Sequence, residues 1–143
     1  MRYQFTNSVP YLINRAGVGV GAQFSDRIRV YGITLPMYRV LAALRQTGQK
    51  TLGDLSDMVS KEQSTLSRLI GKMEAKGLVT RDRPKDNARI VLIDLTPKGE
   101  TLADELMPIA IHFEQTLTEG LDEAQIDALK AMLTHVYTKL SEL

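Results

Sequence analysis

The stretch that most constrains this chain runs from Ser60 to Gly77 and passes directly into Leu78 to Leu95. Leu66, Leu69, Ile70 and Met73 recur at spacings of three and four, which stacks them on one face of a helix. At about 100° per residue the opposite face carries Lys61, Ser64, Ser67, Arg68, Gly71, Lys72 and Ala75, all either cationic or small. One face is suited to a core, and the other can lie close against a polyanion. Ser60 with Gln63 three residues on predicts a reciprocal cap and a helix starting at Lys61. Gly77 predicts a left-handed end to it.

The flanking segments follow from the same signals. Leu12, Ile13, Ala16, Val20, Phe24, Ile28 and Tyr31 predict a first helix over Asn7 to Tyr31. Gly17, Gly19 and Gly21 inside it imply a kink, a break or close packing against another helix. Thr34 and Pro36 open a second helix, Leu35 to Thr47, which buries Val40, Leu41 and Leu44 and stops at Gly48. Thr51 with Asp54 caps a short helix, Leu52 to Val59. Two short helices joined by a tight turn, the second with a basic outer face, form a helix-turn-helix.

Leu78 to Arg83 and Arg89 to Leu95 alternate as strands around a turn, Pro84 to Ala88, giving a hairpin flanked by Arg81, Arg83, Lys85 and Arg89. Thr96 and Pro97 start a long helix running to about Glu119, with Pro108 bending it or freeing a carbonyl. Asp122 with Gln125 caps a last helix lined by Ile126, Leu129, Leu133, Val136 and Leu140. The first helix and the last two together carry more apolar stripe than a winged domain of about 65 residues needs. A second copy of the chain is the expected cover.

Charge is segregated along the sequence. Lys and Arg outnumber Asp and Glu seven to three in residues 1–59 and eight to four in 60–89, whereas 90–143 has three basic against ten acidic residues. That asymmetry points one end of the molecule at phosphates and keeps the other away. With no cysteine, disulfides, thiolate catalysis and thiol redox sensing are excluded, and a cytoplasmic protein is expected. Two histidines, His112 and His135, give no metal spacing, and no glycine-rich phosphate loop or nucleophile with a neighbouring base is present, so neither enzyme activity nor a cofactor is expected. No membrane span or signal peptide is expected either.

Gly32-Ile33-Thr34, Leu52 to Val59, Gln63 to Leu69, Glu74-Ala75-Lys76-Gly77-Leu78-Val79, and Arg89 through Thr96-Pro97-Lys98-Gly99 together resemble the MarR family of bacterial transcription regulators. The resemblance covers essentially the whole chain. It implies a single domain over 1–143, mainly α with a small β-hairpin wing: a winged helix-turn-helix over 33–97 and a helical dimerisation region from 1–32 and 98–143. It also implies a homodimer on double-stranded DNA, answering to a small aromatic or anionic effector. One departure is that the family often has Asp two residues before the wing arginine, where this chain has Asn87 before Arg89. Asn87 can accept a hydrogen bond from Arg89, without the strength a charge would add.

On this basis Ser64, Ser67 and Arg68 are expected at base edges, with Lys61, Gln63, Thr65 and Lys72 near phosphates or neighbouring bases. Arg89, aided by Arg83 and Asn87, is expected in the adjacent minor groove. By analogy with the family, Arg15, Met37, Tyr38 and His112 are the candidates for an effector pocket. The competing reading is an adaptor that uses a winged domain to bind protein rather than DNA.

Overall fold

The computed structural model describes residues 2–143. It contains six α-helices and three short strands among the described residues: α1 (Val9–Ile28), α2 (Leu35–Thr47), β1 (Lys50–Thr51), α3 (Leu52–Val59), α4 (Gln63–Ala75), β2 (Val79–Asp82), β3 (Leu92–Leu95), α5 (Pro97–Leu117) and α6 (Glu123–Ser141). The chain divides into two compact units, one ending at Ile109 and the other starting at Ala110.

In the first unit, Ile28 of α1, Val40, Leu41 and Leu44 of α2, Leu55 of α3, Leu66, Ile70 and Met73 of α4, Ile93 of β3 and Leu106 of α5 are fully buried. These are largely the positions that the three-and-four spacing placed inside. A helix stripe that wide turns into a core once it meets a second helix at a crossing angle, and here α3 packs on both α2 and α4. The sheet is antiparallel in the order β1-β3-β2, with Val79 opposite Leu95 and Lys50 opposite Ile93. The wing hairpin is thus present with shorter strands than expected, and a third strand of two residues, absent from the sequence reading, pairs on its outer edge.

Helix α2 and helix α3 have the predicted bounds, with Thr34 and Thr51 accepting from the amides of Met37 and Asp54. The start of α4 differs. Ser60 does not cap it: the helix begins at Gln63 and no side chain caps its end. Ser60 instead closes α3 in the left-handed region at φ 54°. Its amide donates to the Asp57 carbonyl (3.4 Å) and the next amide, of Lys61, donates to that of Ser56 (3.1 Å). This is the Schellman pattern, in which a left-handed residue lets the last carbonyls of a helix find donors. The buried Ser56 hydroxyl adds a bond to the Lys61 carbonyl, so the turn between the two helices is stapled at both of its ends. Gly77 closes α4 in the same way at φ 75°, with the amides of Gly77 and Leu78 reaching the carbonyls of Glu74 and Met73.

Helix α1 begins after Ser8 and runs without a break through Gly17, Gly19 and Gly21. Only Gly21 has a close neighbour, since a Cβ there would lie 3.5 Å from Leu35. Of the expected apolar stripe, Phe24 and Ile28 are buried while Leu12, Ile13 and Val20 are exposed. Helix α5 continues through Pro108. In the second unit, Asp122 and Gln125 form the predicted reciprocal cap on α6, Lys130 pairs with Glu114 at 3.4 Å, and no residue of α6 is buried.

Candidate nucleic-acid interface

The exposed face of α4 is set by which residues its core face uses up. With Leu66, Ile70 and Met73 buried, Ser64, Thr65, Arg68 and Lys72 stand in solvent, and Lys61 is half-buried at the turn. Among the described residues the side chains of Lys61, Arg68 and Lys72 have no hydrogen bond or ion pair. They surround a groove of about 240 Å³ that Pro36, Thr65 and Leu69 complete. Three unpaired cations along one groove raise the local potential for an anion. Gln63 is exposed and its amide leans back over α3, within 3.5 Å of where a Cβ on Gly53 would be.

Ser67 differs from its neighbours on the helix. It is half-buried, and Arg81 of β2 donates to its hydroxyl at 3.1 Å and to its carbonyl at 2.8 Å. The Nε of Arg81 lies 3.2 Å from the Glu74 carboxylate, an ion pair without hydrogen-bond alignment that leaves this buried nitrogen otherwise unsatisfied. Sequence reasoning grouped Arg81 with the cations at the hairpin tip. Strand alternation carried the contrary signal, because Arg81 shares its face with Val79, which is buried against the helix side.

At the wing tip, Asn87 accepts a hydrogen bond from the backbone amide of Arg89 (3.2 Å), and the Ile90 amide donates to the Asn87 carbonyl. The chain turns on Asn87 as an Asx turn does. The interaction therefore goes to the Arg89 backbone, and its guanidinium is left without a partner among the described residues. Arg83 donates to the Ala88 carbonyl at 2.8 Å and so ties the two sides of the loop.

The expected effector residues occupy distinct settings. Arg15 is exposed on α1 and donates to the Tyr11 hydroxyl at 3.1 Å. Met37 is buried in α2, whereas His112 is exposed on α5. Tyr38 packs edge-on to Phe24 with ring centroids 4.6 Å apart, and burial raises its phenol pKa. It also lines an open cavity of about 520 Å³ between α2 and the turn after α3, with Arg39, Met58 and Lys61 at its rim.

Comparison with known proteins agrees with this geometry. A family model described as the MarR family matches residues 33–91. The organic hydroperoxide resistance transcriptional regulator of Bacillus subtilis (strain 168) is 27% identical over 137 residues, spanning 96% of this chain and 90% of that protein. The structure of Bordetella bronchiseptica BpsR, whose DNA binding is regulated by 6-hydroxynicotinic acid, matches at a TM-score of 0.85 with 29% identity over 96% of this chain and 98% of the other. A MarR family transcriptional regulator of Silicibacter pomeroyi DSS-3 matches at a TM-score of 0.80 with 32% identity, covering 95% of this chain and 99% of its own. Since that identity extends over nearly the full length of both chains and the fold matches throughout, this chain belongs to the MarR family of transcriptional regulators.

Proposed function

We propose that this protein is a cytoplasmic, sequence-specific DNA-binding repressor that acts as a homodimer on an inverted repeat and is released by a small aromatic or anionic ligand. It works by binding and not by catalysis. The observation that carries the reading is three unpaired cations around one groove, Arg68 and Lys72 on the exposed face of α4 and Lys61 in the turn before it. Side chains so placed gain affinity by releasing counterions from phosphates.

In this reading α4 enters the major groove. Arg68 presents a planar fork to a guanine, Ser64 and Ser67 reach neighbouring base edges, and Lys61, Gln63, Thr65 and Lys72 lie along the phosphates. Arg89 enters the minor groove, with Arg83 and Asn87 shaping the loop that presents it. Similarity to BpsR supports a ligand-controlled device of this kind, and Arg15, Met37 and Tyr38 of the first unit remain the proposed effector contacts. The exposed apolar residues of α1 and α6 support a second copy as partner, since large apolar surfaces on a free chain mark a binding face.

Selection of bound sequences from random duplexes tests the reading. The expected product is a two-fold symmetric site with half-site centres one helical turn apart, roughly 34 to 36 Å. Failure to enrich any sequence, together with no binding to duplex DNA at low ionic strength, would overturn it.

A further inference from the structure

We propose that Arg81 is a positioning residue that locks the wing to the reading helix and aims the Ser67 hydroxyl, and that it contributes no phosphate contact of its own. The proposal rests on the DNA-binding reading above and adds to it. Arg81 projects from β2 across to α4 and holds three groups of that helix at once: the Ser67 carbonyl, the Ser67 hydroxyl and the Glu74 carboxylate. Its side chain is only 25% exposed, so it is not displayed to solvent as Arg68, Lys72 and Arg89 are.

Gly71 makes room for this arrangement. A Cβ at Gly71 would sit 3.5 Å from an Arg81 terminal nitrogen, so a side chain longer than Ala at that position would displace the guanidinium. The small residue on the outer face of α4 thus receives the arginine of the neighbouring strand. Glu74, one turn further along the helix, supplies the opposite charge.

The consequence for recognition follows from hydroxyl chemistry. A serine hydroxyl has one proton to donate and two lone pairs. Arg81 takes a lone pair of Ser67, and the Ser67 proton meets no acceptor among the described residues. The arginine thereby leaves that proton facing outward, where a base acceptor in the major groove can receive it. It also joins β2 to α4 through a forked donor, a geometry that a lysine cannot reproduce. A wing and a reading helix held by one guanidinium move as a unit, which is needed if both are to engage adjacent grooves together.

The experiment compares the full-length wild-type protein with Arg81→Gln, Arg81→Lys and Lys72→Gln on the duplex recovered by selection. For both Arg81 variants, affinity should fall about tenfold, the loss expected for a charge-assisted hydrogen-bond set. Minor-groove protection at adenine N3 should be lost while guanine N7 protection persists, and the slope of log affinity against log salt should be the same for Arg81→Gln as for Arg81→Lys, which keeps the charge. Lys72→Gln should instead lower that slope by about 0.9. In the DNA-free protein the Arg81 guanidinium N–H resonances should exchange slowly with water. Binding by Arg81→Lys at wild-type strength, a salt slope lower in Arg81→Gln than in Arg81→Lys, equal loss of both groove protections, or fast guanidinium exchange in the free protein would each overturn the proposal. If wild-type protein enriches no duplex, the DNA reading fails, and the exchange measurement still decides whether the lock exists.

Discussion

Gly99 and Leu78 are in backbone contact: a Cβ built on Gly99 would lie 2.1 Å from the Leu78 carbonyl oxygen. Around that contact the Thr96 amide donates to the same carbonyl, the Thr96 hydroxyl donates to the Gly77 carbonyl, and the Gly99 amide returns to the Thr96 hydroxyl. The first turn of α5 is therefore fastened to the junction where α4 ends and the wing begins. No side chain fits there. Gly99→Ala should destabilise the protein by about 2 to 4 kcal/mol through overpacking against backbone, seen as a lowered midpoint in urea with an unchanged slope. A variant of wild-type stability would show that α5 approaches the wing less closely than the structure has it.

Ser60 and Gly77 perform the same task with different residues. Both end a helix in the left-handed region, which costs a residue with a Cβ about 1 to 2 kcal/mol. Replacing Ser60 with Gly removes that strain but adds freedom to the unfolded chain. The net result should be a gain of about 0.5 kcal/mol in thermal or chemical unfolding. Were Ser60 the cap of α4, the same change would cost a few tenths of a kcal/mol, so the sign of the effect separates the two roles.

That pair also shows where the sequence was legible. Gly77 announces a left-handed cap because glycine is the residue that adopts it freely, and Thr51 and Asp122 announce helix starts because their partners stand three residues away. Ser60 misleads because its spacing to Gln63 is that of a capping box, while the bonds it makes run backwards into α3. Strand β1 could not be foreseen, since its two residues are held through pairing with β3, some forty positions on. At the interface, the exposed cations of α4 follow directly from helical period. The role of Arg81 depends on how β2 lies across α4, a tertiary relation that composition had disguised as one more charge at a basic hairpin.

Arg68 and Lys72 stand on the same face of α4 but should fail differently. Arg68→Ala should cost about 1 to 3 kcal/mol on the selected duplex and relax preference at one base position, leaving binding to random DNA nearly unchanged. Lys72→Ala should weaken both duplexes alike. Competition binding on the two duplexes measures the difference, and equal losses for Arg68→Ala would remove it from the base-reading set.

Arg45 of α2 grips Asp104 of α5 through two bonds, at 2.8 and 3.2 Å. The hydrogen bond from Arg45 holds the Asp104 carboxyl below its usual range, and Asp104 correspondingly raises the Arg45 pKa. A carboxyl depressed in the folded state stabilises at pH values above its unfolded pKa and loses that contribution as pH falls through the folded one. Asp104→Asn should therefore melt slightly below wild type at neutral pH, and the gap should close below the ordinary carboxylate range. Because the pair is exposed, added salt should narrow it as well. A gap that widens in acid would contradict the assignment.

Helix α6 has no buried residue, and Leu129, Met132, Leu133, Tyr137 and Leu140 all lie open along it. A regular apolar seam left uncovered in the single chain is the physical ground for the proposed homodimer. Leu133→Glu places a carboxylate within that seam, and its desolvation should weaken self-association by on the order of 3 kcal/mol, about a hundredfold in dissociation constant. The fold of the monomer should survive, because Leu133 is already 47% exposed in it. Sedimentation velocity at micromolar concentration should then show a dimer for wild type and a monomer for the variant, with affinity for the inverted repeat falling in parallel. A variant that remains dimeric would move the interface away from this face of α6, and a monomeric wild type would end the two-fold model of operator binding altogether.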